Sequence, residues 1–228
     1  MSKTSISRPT KVLARARPRI PRRISTLTTV AGAVLLLLLL LLALFPDTFA
    51  PYDPSEIVGK PFERPSDDHI LGTNDIGQDL LSELIWGTRA SLAVGTVVAL
   101  IAVSVGTLVG LVAGYSRGLA GSLLMRVTDL VLVLPFLPLI ILLGAYLGPS
   151  QGNVILVLAL VSWAIPARLI RSRVLSLQGE PYIESAQATG CDDARILRHH
   201  IWPGVRLIAL VQLMLVASAS ILAEASLS

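Results

Sequence analysis

The chain has 228 residues, 53% of them hydrophobic and 15% charged, with a mean hydropathy of +0.72. Soluble domains carry about 25% charged residues, so this depletion excludes an ordinary water-soluble domain and points to a protein embedded in a bilayer. A single cysteine, Cys191, excludes an intramolecular disulfide and a multi-cysteine metal site, and the net charge of +4 acquires meaning only when mapped along the chain.

Residues 1–26 form a basic tail holding Lys3, Arg8, Lys11, Arg15, Arg17, Arg19, Arg22 and Arg23 and no acid. Such a tail can bind nucleic acid, but directly before a membrane span it reads as a topology signal, and no nucleic-acid partner is expected. A crossing helix needs about 20 apolar residues, which 27–45 supplies. This run exceeds the core of a signal peptide, and Pro51 follows Ala50, the one plausible cleavage residue, so an uncleaved anchor is expected. Segment 46–88 holds nine acids against Lys60 and Arg64. Further spans are predicted at 90–114, 127–147, 152–170 and 204–225, the fourth interrupted by Trp163 and Pro166. Between them, 115–126 has Arg117 and Arg126, 148–152 has no charge, and 171–203 has Arg171, Arg173, Arg195 and Arg198. Basic and non-basic segments alternate, which places the N-terminus and 171–203 in the cytoplasm and 46–88 outside. The organisation is a basic tail (1–26), an anchor (27–45), an extracytoplasmic segment (46–88) and an all-α core (89–228).

Within the spans, Gly106, Gly110 and Gly114 recur at every fourth position. They leave a flat helix stripe suited to close packing against another helix. Asp129 lies three residues after Arg126, on the same helix face, and is expected to pair with it. Pro135 and Pro138 are expected to bend the third span, and Glu224 to reach the outer interface. No G-x-x-x-x-G-K-[ST] loop, H-E-x-x-H or G-x-S-x-G occurs, and His199 and His200 diverge by about 100° on a helix. Neither catalysis nor a cofactor is expected in this chain; its energy comes from an ion gradient or a partner ATPase.

The polar stretch "EPYIESAQATGCDDARILRHHIWPGV" (180–205) interrupts this apolar chain. Pro181 suits a first helical position, Glu180 and Glu184 suit a helix N-terminus, and Gly190 is a stop signal. Ile183, Ala186 and Gly190 share one face, small enough to enter another protein's cleft. The bulky apolar and basic residues of a membrane-surface helix are missing.

The segment resembles the E-A-A-x-x-x-G signature of binding-protein-dependent ABC importer permeases, with a proline thirteen residues later. Glu184, Ala186, Gly190 and Pro203 stand at that spacing, and Ser185 replaces the second alanine. "RHHIWP", with His200 and Ile201, is similar to the R-H-I-L-P ending of the peptide and nickel branch. "HILGTNDIGQDLLSELIWGTRASL" (69–92) resembles a second block of that branch, with Gln78 and Glu83 where arginines are usual. "FAPYDP" (49–54) and "EASLS" (224–228) match as well.

The resemblance implies a type I ABC importer transmembrane fold and a permease subunit moving peptides or similar small polar solutes inward across the bacterial cytoplasmic membrane. It implies a heterodimer with a homologous permease subunit, two ATP-binding subunits carrying ATP and magnesium, and an extracytoplasmic solute-binding protein. Glu184, Ser185, Ala186, Gly190, His200, Ile201 and Pro203 would then couple the permease to the ATPase subunits, and the glycine stripe would pack helices. Family members continue past "EASLS" through a final span. Five spans are therefore expected here, the sequence being either a fragment or a truncated protein with impaired function. A stand-alone secondary transporter is the alternative; such proteins place ionisable groups at the midplane, and these spans hold almost none.

Overall fold

The structure is a computed structural model that describes residues 22–116, 118–148 and 150–226. Lys3, Arg8, Lys11, Arg15, Arg17, Arg19 and Arg117 lie outside the described residues. The chain divides into two units at Leu41/Leu42. Helix α1 (Arg22–Leu44) carries an apolar window, Leu27–Leu44, that is long enough to cross a membrane. Val34 to Leu38 are all exposed, as suits side chains that face lipid.

Helix α3 (Leu80–Tyr115), which follows the single turn α2 (Pro46–Phe49), has 36 residues, about 54 Å at 1.5 Å per residue. It starts ten residues before the predicted span because Asp79 caps it, its carboxylate accepting the Ser82 N–H at 2.9 Å. Around it stand α6 (Gln151–Ser162), α7 (Ala164–Gln178) and α10 (Trp202–Ala225). The shared core includes Val94, Val98, Ala102, Leu158, Ile170, Val174 and Val205. The break expected at Trp163 and Pro166 is slight, and Gln151–Gln178 runs as one span. Pro166 falls in the first turn of α7, where a missing N–H costs little.

The glycine stripe has a defined partner. A Cβ on Gly106 or Gly110 would lie 2.6 Å from the carbonyl oxygen of Trp163 or Ala167, and one on Gly114 2.7 Å from Val174 Cβ. The three glycines thus let α3 lie against the α6–α7 helix backbone to backbone.

The bend expected at Pro135 and Pro138 is present, and one other expectation needs correction. Helices α4 (Leu119–Val133) and α5 (Phe136–Leu147) meet at 87°. Leu134 is extended (φ −65°, ψ 131°) because the following Pro135 disfavours helical backbone before it. Among the described residues four helices are long and apolar enough to cross, five if this bent pair counts as one. Asp129 does not pair with Arg126; its ion pair is with Arg168 of α7. A partner on a facing helix satisfies the carboxylate while tying α4 to α7, which a neighbour on the same helix does not do. Glu224 likewise has a partner within the bundle, accepting a 2.8 Å hydrogen bond from Ser91 Oγ of α3.

Candidate functional site

Helix α8 (Pro181–Ala188) forms as the residues dictate: Pro181 occupies its first turn, Glu184 lies in that turn, and Gly190 follows its end at φ +79°. The Gly190 N–H donates to Gln187 O at 3.0 Å and the Cys191 N–H to Ala186 O at 3.1 Å. This pairing is the Schellman closure, which uses a left-handed residue to satisfy the last carbonyls. Beyond it lie α9 (Asp193–Ile196) and a single π-helical turn (Leu197–Ile201) that leads into α10.

The face shared by Ile183 and Ala186 does not point outward as expected. Ile183 is fully buried, and Ala186 and Cys191 pack against the core. The reason is hydrophobic: Ile183 is the one large aliphatic side chain in α8, and the bundle supplies apolar neighbours at once. The opposite face, with Pro181, Glu184, Ser185, Ala188 and Thr189, is exposed. Tyr182 is 48% exposed beside it, its ring 6.2 Å from that of His200. Sequence reasoning passed over Tyr182, although an aromatic on the polar side of so small a helix was itself a signal.

The predicted coupling residues therefore separate. Glu184, Ser185, Gly190 and Pro203 are exposed, Ala186 and His200 half-buried, and Ile201 fully buried. Ile201 belongs to the same buried cluster as Ile183 and Ile196. A polar cavity of about 480 Å³, lined by Tyr115, Gln178, Gln187, Cys191 and Asp193, separates this region from the end of α3. Tyr115 OH bridges it, donating to Asp193 Oδ1 at 2.6 Å.

At the other end of α3, segment 50–79 folds around a buried network. Asp79 Oδ1 lies 3.1 Å from His69 Nδ1, which must carry the proton because a carboxylate only accepts. Asp79 Oδ2 accepts from both the N–H and the hydroxyl of Ser82. Burial acts to raise the Asp79 pKa, but the Ser82 amide, the Ser82 hydroxyl and His69 together outweigh it and hold the carboxyl below its ordinary value. Tyr52 closes the network, its N–H donating to Ser82 Oγ at 3.1 Å and its ring 5.2 Å from that of His69. Among the described residues no group of three His, Cys, Asp or Glu side chains could hold a metal ion.

Residues 106–228 match the family model described as binding-protein-dependent transport system inner membrane component. The dipeptide transport system permease protein of Bacillus subtilis is 36% identical over 164 residues, 72% of this chain and 51% of the relative. The glutathione transport system permease protein of Pectobacterium atrosepticum is 36% identical over 201 residues, 87% of this chain and 67% of the relative. The oligopeptide transport system permease protein of Bacillus subtilis is 30% identical over 208 residues, 90% and 67% respectively. The chain thus spans about half the length of the first of these relatives. Among the described residues its nearly all-helical, multi-pass architecture is that of the type I ABC importer permease, and the chain belongs to the family of binding-protein-dependent transport system inner membrane components.

Proposed function

We propose that the chain is a permease subunit of an ATP-driven importer, moving peptides or similar small polar solutes inward. ATP hydrolysis takes place on two separate ATP-binding subunits, and the pathway is shared with a homologous permease subunit. An extracytoplasmic solute-binding protein delivers the solute. The N-terminus and α8 face the cytoplasm. Relatives named as dipeptide, oligopeptide and glutathione permeases support the solute class. The observation that carries the coupling role is the two-sidedness of α8. One face is fixed in the bundle through Ile183, and the other, around Glu184 and Ser185, is exposed and small enough to enter a groove.

The test is the affinity of the ATP-binding subunits for the reconstituted complex. In Ser185→Trp, a bulky ring on the free face should weaken binding ten-fold or more while the protein stays in the membrane. Glu184→Gln keeps the shape and loses the charge. If the carboxylate meets a buried cation on the partner, the loss is about 2–5 kcal/mol; if it only supports its own helix end, the loss stays under about 1 kcal/mol. Unchanged binding and transport in Ser185→Trp would remove α8 as the docking element.

A further inference from the structure

A groove of about 600 Å³ runs between α3 and α10. Its walls are aliphatic: Leu100, Val103 and Leu111 from α3, Leu210 and Leu213 from α10. Trp202 and Arg206 stand at one end of the α10 wall. From Trp202 to Leu213 the groove extends about 16 Å at 1.5 Å per residue, close to one leaflet of a hydrocarbon core about 30 Å thick. One charged group in it lacks a use within the chain: Arg206 is exposed and has no ion-pair partner among the described residues.

We infer that this groove binds an anionic phospholipid of the surrounding membrane, with one acyl chain between α3 and α10 and the phosphate on Arg206. Two features select that occupant. The groove's length is that of one leaflet, so a chain filling it brings its headgroup to the end where Arg206 lies. Arg206 offers a forked donor set that matches phosphate oxygens, and Trp202 beside it has the amphipathic ring favoured at headgroup depth. An apolar protein helix laid in the same groove would leave Arg206 without an anion. The inference does not depend on the direction of transport or on the coupling role of α8.

The experiment uses native membrane vesicles containing the protein with its accompanying subunits. They are doped with phosphatidylglycerol or phosphatidylcholine bearing a photoactivatable acyl chain, and the labelled peptides are mapped after irradiation. The phosphatidylglycerol probe should label residues 100–111 and 202–213 about five-fold more than the phosphatidylcholine probe, the ratio expected for one arginine near a membrane surface. Arg206→Gln should bring the first probe down to the level of the second, and Arg206→Lys should retain most of the difference. Equal labelling by both lipids, or an undiminished preference in Arg206→Gln, would overturn the inference. So would no labelling of either segment, since the groove is then covered by protein.

Discussion

Gly110→Ala adds one methyl group where α3 lies closest to α7. The new Cβ would stand 2.6 Å from Ala167 O, 2.7 Å from Ile170 Cβ and 2.9 Å from Ile170 Cγ2. Carbon atoms in contact sit about 3.5–4.0 Å apart, so the two helices must part by about 1 Å. The nearest obstacles are backbone and Cβ atoms, which cannot rotate away. Overpacking of this kind costs about 1–3 kcal/mol. Gly87→Ala, on the same helix, is the control. A Cβ at Gly87 meets nothing within 4 Å, and replacing an interior helix glycine by alanine gains about 0.5–1 kcal/mol. That gain is common to both sites and cancels, so the two variants should differ by the overpacking cost, about 1–3 kcal/mol. The assay is thermal denaturation of the detergent-solubilised protein, where each kcal/mol corresponds to about 2–4 °C for a chain of this size. Gly110→Ala should melt lower than the parent and Gly87→Ala no lower. Coincident melting of the two variants would refute the close-packing argument.

At Asp79 the folded-state pKa is depressed, so its stabilisation is present above the unfolded value of about 3.9 and is lost as pH falls through the folded value. Amide exchange in residues 52–79, corrected for intrinsic rates, should stay protected at pH 5 and accelerate below about pH 4; Asp79→Ala should show that acceleration at neutral pH, with a loss of about 1–3 kcal/mol from the missing cap and the stranded His69 and Ser82. Tyr115→Phe removes the hydroxyl that bridges α3 to Asp193 and should lower the solute moved per ATP hydrolysed while ATPase-subunit binding is unchanged; an unaltered ratio would show that the bridge carries no motion. In intact cells a cysteine at Ser66 should react with an impermeant thiol reagent and one at Ser176 should not; both positions are exposed, and the reverse pattern would invert the topology.

The long apolar helices were readable because a span announces itself by length and composition. The short helix α8 was readable because Pro181 and Gly190 bracket it with residues that have few other uses. Charge partners were not readable. Arg126 was the visible neighbour of Asp129 by spacing, whereas Arg168 becomes its partner only once α4 and α7 lie side by side. Distance along the chain also hid the network of Tyr52, His69, Asp79 and Ser82, since nothing in the spacing of those residues sets them around one carboxylate. The prolines at 135 and 138 marked the place of the bend but not its size. Residue-level rules say that a helix stops before Pro135, and only packing fixes the direction of the next one.

The orientation of α8 bears most directly on mechanism. A helix whose small face entered a partner's cleft, as the sequence suggested, would be held to its own bundle by little more than chain connectivity. It would then move with the partner and leave the bundle behind. The structure has the opposite arrangement, with Ile183, Ile196 and Ile201 all fully buried in the same core as Val174 and Val205. The entry to α10 is pinned as well, since a Cβ on Gly204 would lie 2.8 Å from Leu177 Cδ1. Interiors packed at this density transmit displacement instead of absorbing it. If the exposed face of α8 carries an ATP-binding subunit, as proposed, a push on that face therefore reaches α7 and α10 through side-chain contact. It reaches α3 through Tyr115 and Asp193, and the backbone-to-backbone seam at Gly106, Gly110 and Gly114 makes α3 and α7 move together. The apolar face that seemed available for a partner is the one that makes α8 part of the bundle.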